Sequence, residues 1–244
     1  MKLYLCVALF AFLTWPAFGQ DYHLNDTLYI WEMHGLEMID NPEKPGQVSE
    51  KFYYGLPARV VDIDIQKYPV SMEVNIGFQM PGHWVKVIIN QDTGYVFDGY
   101  LSRISPFDLR SDADGIDLVR QNFAGGSEVS KGIRSFSENG LSEGESRDLS
   151  FDNGIDWNIK KVKPCLVEKY TLSKVRFSEV YQLMMAVYSN YFDQKATYMA
   201  EPEFIRMNGA KYEFILKDNG QKRQISIYHK NGRWVINTFS CSDQ

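Results

Sequence analysis

Residues 82–103, GHWVKVIINQDTGYVFDGYLSR, constrain the fold more than any other stretch of the chain. Trp84, Lys86 and Ile88 alternate with Val85, Val87 and Ile89, so both faces of this run carry apolar side chains. That is the pattern of a strand with at least one side buried in a small barrel. Residues 90–94 supply a turn, Tyr95, Val96 and Phe97 resume a strand, and Gly99, Tyr100 and Leu101 close it. The β-branched and aromatic enrichment on either side of turn chemistry predicts a hairpin.

The rest of the 244 residues is long enough for one large or two small domains, and 44% apolar content is enough for a core. The chain carries 26 basic and 31 acidic residues, a net charge of −5, and has no basic run. The electrostatic footprint of nucleic-acid binding is therefore missing. Residues 1–19 place Lys2 before an apolar run from 3 to 15, followed by Ala17, Phe18 and Gly19. This is the layout of a secretory signal peptide, with an anchor that stays attached as the alternative. Cleavage would leave no later segment apolar enough to span a membrane, and the expected location is periplasmic or extracellular. Once Cys6 is removed, Cys165 and Cys241 remain, an even number in a compartment that permits disulfides. Pairing them would close a long loop and stabilise the fold by roughly 4 kcal/mol in the chain-entropy model. Two buried free thiols are the other reading.

Residues 28–31 read as the first strand of the N-terminal unit and residues 58–62 as another. After Leu101 the composition shifts to Ser, Gly, Asp and Glu, and residues 105–148 read as a linker or irregular segment with a short helix over 115–123. Order returns at Leu149. An Asn153-Gly154 turn precedes Trp157 and Ile159, and Leu166, Glu168, Tyr170 and Leu172 alternate as a further strand. Phe177, Val180, Tyr181, Met184, Val187, Tyr188 and Tyr191 recur at three and four residues, the stripe of an amphipathic helix with Ser178 as its N-cap. Residues 212–217, 224–229 and 233–239 are alternating runs separated by 218–220 (Asp-Asn-Gly) and 230–232 (Lys-Asn-Gly), which predicts an antiparallel meander. The expected architecture is mostly β: a small barrel over residues 27–104, then over 149–244 an α+β domain of about five strands packed on one long helix.

The letters of the N-terminal unit resemble the bacterial SH3 (SH3b) family. Trp84, Lys86 and Val87 match its W-x-K-V strand, Gly94, Tyr95 and Val96 its G-[YW]-V, and Gly99, Tyr100 and Leu101 its terminal G-Y-L. Upstream, Gly35 and Leu36 followed by Asn41 and Pro42 sit at the family's G-L-N-V-R-x-x-P segment, and Tyr54-Gly55 at its Y-G. Glu37, Met38 and Ile39 stand where the family has N-V-R, and residues 63–81 form a longer insertion. The resemblance covers residues 27–103 and implies an SH3-like barrel that recognises a peptide: a peptidoglycan fragment or an envelope protein. Trp84 and Tyr100 would line its groove, with Tyr54 and Tyr95 as further ligand-binding candidates. An aromatic groove offers flat apolar faces with polar edges to an extended peptide. The same aromatics would otherwise simply fill a small barrel.

Catalytic and metal chemistry find little support. Cys165 lacks the context of a thiol nucleophile, and no nucleophile-elbow glycine pattern occurs. Residues 111–117 resemble part of a calcium loop, but in register Arg110 and Gln121 fall where acidic ligands belong. His23, His34, His83 and His229 include no pair at zinc-ligand spacing. The sequence thus reads as an exported, non-catalytic binding protein without cofactor. A structural scaffold whose C-terminal sheet holds the ligand is the alternative, and an envelope hydrolase a more distant one.

Overall fold

A computed structural model describes residues 22–46, 48–106, 128–138, 142–152, 154–189, 200–218 and 221–241. The signal segment, the helix expected over 115–123 and the candidate calcium loop at 111–117 lie outside the described residues. Within them the chain is mostly β, with two antiparallel eight-stranded sheets and one α-helix.

The first sheet comprises β1 (Thr27–Ile30), β2 (Leu36–Ile39), β3 (Val48–Phe52), β4 (Pro57–Val60), β5 (Pro69–Asn75), β6 (Phe78–Ile89), β7 (Asp92–Phe97) and β8 (Leu101–Ser102), with a 3-10 turn at Asp98–Tyr100. Its order is β3-β2-β7-β6-β4-β1-β8, with β5 hairpinned onto the first half of β6. The expected hairpin is β6–β7, but its turn is tighter than residues 90–94. Ile89 pairs with Asp92, Asn90 takes the left-handed conformation at φ 56°, and Gly94 lies within β7. An asparagine tolerates that conformation better than most residues, which is why it holds the turn. The two ends of the order, β3 and β8, do not pair, so the sheet is not the closed barrel the sequence suggested.

The reason lies in the two faces of β6. Val85, Val87 and Ile89 point into a compact cluster with Tyr22, Leu28, Ile30, Leu36, Met38 and Val96. Phe78, Met80 and Trp84 instead join Trp31, Ile39 and Phe97 in a larger cluster that runs on into the second half of the chain. The strand is apolar on both sides because each side is buried, one within its own sheet and one against its neighbour. Gly82 and Gly99 bracket Phe97 so closely that an added Cβ would sit 2.6 and 2.3 Å from its ring. Those positions accept no side chain without displacing the core.

The second sheet runs β13 (Glu203–Asn208), β14 (Lys211–Asp218), β15 (Gln221–Lys230), β16 (Arg233–Cys241), β12 (Cys165–Leu172), β11 (Ile155–Val162), β10 (Ser142–Phe151) and β9 (Glu128–Glu138). It has eight strands where about five were expected, because β9 and most of β10 arise from largely polar stretches, and β13 from a short mixed one without clear alternation. The expected meander is β14–β15–β16, and its second turn has Asn231 and Gly232 both at positive φ (53° and 75°), as a tight two-residue hairpin requires. Cys165 and Cys241 face each other across β12 and β16 and form a disulfide.

Helix α1 (Phe177–Tyr188) matches the predicted stripe up to Tyr188; Tyr191 lies outside the described residues. Its N-cap is Arg176, not Ser178. Glu179, three residues on, reaches back to accept the Arg176 N–H at 2.9 Å, which satisfies one of the free donors at the helix start. The helix is amphipathic in sequence yet buried on nearly every side, Val187 alone being half-buried. Its polar residues are covered by the first half of the chain, and they build the site.

Candidate functional site

Three segments of the first half meet α1. The insertion at residues 63–81 folds as β5 and the start of β6 and delivers Phe78 into an aromatic nest. The Phe78 ring centroid lies between 4.9 and 6.0 Å from those of Phe177, Tyr181, Phe204, Tyr212 and Phe214. Asn75 clamps the same edge: its Nδ2 donates to Pro202 O, and its Oδ1 accepts from Phe204 N, both at 2.9 Å. Tyr181 Oη donates to Val74 O at 3.0 Å.

Below this contact, residues 98–104 and the N-terminus of α1 form a buried polar knot. Asp98 accepts from Tyr22 Oη at 2.8 Å and from His83 N at 2.7 Å, and Arg176 Nη1 lies 3.6 Å away. Burial pushes the Asp98 carboxyl up, but the His83 hydrogen bonds, the Arg176 charge and the Tyr22 hydroxyl outweigh it and hold the group below the ordinary carboxylate range. Glu179 accepts from Ser102 Oγ (3.0 Å) and Arg103 N (3.1 Å) on one oxygen and from Arg176 N on the other. Arg176 also donates to Leu101 O and covers the Tyr22 ring at 4.9 Å. Its Nε is buried without a hydrogen bond among the described residues and lies 3.8 Å from Glu179 Oε2.

One turn further along α1 the same seam opens into a cleft of about 120 Å³. Glu32, Met33 and His34 come from the loop after β1, Val74 from β5 and Tyr100 from the 3-10 turn. Tyr181, Gln182 and Met185 face it from α1, and Glu201 from the segment before β13. No lysine or arginine lines it. His34 Nε2 and Glu201 Oε1 hydrogen-bond at 2.9 Å across the rim. Glu32 Oε1 accepts the His34 N–H at 2.9 Å. Burial raises the Glu32 carboxyl above its ordinary range against the opposing His34 contacts, and Glu201 adds to the rise. Tyr100 is pushed up as well, by burial first and then by the charges of Glu32 and Glu37.

The residues expected to bind ligand separate here. Tyr100 lines the cleft, half-buried. Trp84 does not line it; the indole is 8% exposed within the shared core, opposite Phe97, whose ring in turn meets Tyr100 edge-on at 5.3 Å. Tyr54 stands edge-on to Trp31 at 6.0 Å, and Tyr95 edge-on to Tyr68 at 5.6 Å with Lys86 Nζ 5.8 Å from its ring centre. Gln182, Glu32 and Glu201 were not foreseen. Glu179 and Gln182 break the polar side of an otherwise apolar helix at a spacing of three, and that pairing was the available signal.

A third buried carboxylate lies away from this cleft. Glu168 accepts from Trp157 Nε1 (2.9 Å), Tyr170 Oη (2.7 Å) and Tyr188 Oη (3.0 Å), and burial pushes both tyrosines well up. It sits at a core-facing parity between Leu166 and Tyr170, where a charge is the sequence signal for such a cage. Among the described residues no group of three or more His, Cys, Asp or Glu is placed to hold a metal ion. A comparison with protein families, curated proteins and solved structures matches none of them.

Proposed function

We propose that this is an exported, non-catalytic binding protein whose first half is an SH3b-like module recognising a peptide of the cell wall or of an envelope protein. The reading is supported above all by the cleft at Tyr100. It is concave and partly enclosed, and it sets Met33, Val74, Met185 and two tyrosines among four polar side chains, Glu32, His34, Gln182 and Glu201. Tyr100 is the contact residue; Tyr54 and Tyr95 lie elsewhere on the same module, outside the cleft, and Trp84 is packed in the shared core. Cys165 and Cys241 are tied to each other, so neither is a free thiol nucleophile.

The experiment is retention on purified peptidoglycan. The protein is expected in the pellet, with Tyr100→Ala shifting it to the supernatant. A scaffold reading is favoured by one observation, the insertion of Phe78 into the second half. In that case the wild-type protein stays in the supernatant as well.

A further inference from the structure

We propose that the seam cleft binds a primary alkylammonium group: the amine at the end of a short aliphatic arm, as on a lysine or another diamino acid. The inference rests on the cleft being the ligand site named above and says what that site reads. Its walls offer hydrogen-bond acceptors in excess of donors. Gln182 is 4% exposed; its Nε2 donates to Gly99 O at 3.3 Å, and among the described residues nothing donates to its Oε1. The Tyr100 hydroxyl has no hydrogen-bond partner among the described residues, and of the Glu32 oxygens only Oε1 has one. With no protein donor, this amide oxygen faces the cleft and takes its hydrogen bond from water or from a ligand that donates.

Charge narrows the class further. Glu32 and Glu201 both line the cleft, and Lys51 reaches Glu32 only as a weak, distant influence. An anion would meet two carboxylates and no lysine or arginine, the His34 imidazole being already bonded to Glu201. A divalent metal would find too few ligands, given the ligand sets such ions require. A quaternary ammonium has no N–H to give Gln182. A primary ammonium brings one positive charge and three donors, and its methylene stem finds Met33, Val74 and Met185. The cleft's small volume suits a stem and head of a few heavy atoms.

The test is an amide-resolved NMR titration of the protein with Nα-acetyl-lysine methylamide and with the same molecule acetylated on its ε-nitrogen. The expected result is saturable shifts at Tyr100, Gln182, Met185 and Glu201 with the free amine, and at least tenfold weaker binding after ε-acetylation. Glu32→Gln is expected to weaken the free amine about tenfold while the amide spectrum elsewhere stays unchanged. Gln182→Met, close in shape, removes the acceptor and serves as the second variant. Equal binding of both probes at these amides overturns the amine inference and leaves the binding site standing. If wall fragments are retained but shift amides around Tyr54 and Tyr95 instead, the cleft inference is overturned and the binding reading stands. Absence of shifts with either probe at millimolar concentration, meaning the cleft holds only solvent, overturns the inference. If peptidoglycan retention also fails, the binding reading falls with it.

Discussion

Glu179 and Gln182 stand one helical turn apart on α1, both buried and both facing the first half of the chain, yet their surroundings differ in kind. Glu179 meets a complete set of donors from Ser102, Arg103 and Arg176. Gln182 gives its Nε2 to Gly99 O and borders a cleft whose other polar walls include Glu32, His34, Tyr100 and Glu201. The first region is a joint, in which buried charges bridge the two halves of the chain and Glu179 finds its partners within, Arg176 Nε being left unbonded. The second is the same interface opened to solvent, with an amide oxygen facing the space. The contrast is between a contact closed by its own side chains and one that leaves polar groups accessible to water or to the ligand proposed above.

The largest effect should come from breaking the joint. Glu179→Ala leaves Arg176 buried beside fewer acceptors and is expected to lower stability by about 3–5 kcal/mol, read from the urea midpoint. A loss below 1 kcal/mol would mean that the knot carries little of the contact. Next comes Tyr181→Phe, which removes the hydroxyl bonded to Val74 O at the border of the two regions. A cost of about 1 kcal/mol is expected in the same assay.

Smaller, and opposite in sign, is Glu32→Gln. The folded protein holds the Glu32 proton more tightly than the unfolded chain, because burial raises its carboxyl. Stability therefore falls as pH rises from the ordinary glutamate value through the raised one, and the cost is fully present above it. The glutamine variant should melt higher than wild type at pH 7, with the difference vanishing below about pH 4, near the unperturbed value. A variant that melts lower at pH 7 would show that Glu32 is stabilising and the cleft already balanced. Tyr100→Phe should change stability least, by less than about 0.5 kcal/mol, since its hydroxyl bonds nothing among the described residues. Retention on peptidoglycan is the readout that should move instead.

Much of the chain's local order was legible because period and turn chemistry are local. The β6–β7 hairpin, the meander β14–β15–β16, the stripe of α1 and the meeting of Cys165 with Cys241 all follow from residues close together or few in number. The strands β9 and β10 were hidden because their residues are largely polar and take their strand form from pairing with neighbours, and β13 because Phe204 and Ile205 stand side by side and break the alternation. Of the site, Tyr100 was visible as an aromatic at the end of a motif. Gln182 and Glu201 were not, since nothing in the sequence places residues a hundred apart on one wall.

The sequence by itself determined that β6 would be apolar on both faces and that α1 would carry Glu179 and Gln182 on its polar side. Only the tertiary structure decided what those surfaces meet: Trp84 packs inward instead of standing open, the insertion at 63–81 docks, and one polar residue of α1 is matched while the next is left facing space. Alternation and spacing report which side of an element is buried. They carry no information about the partner, because that depends on contacts between segments far apart in the chain.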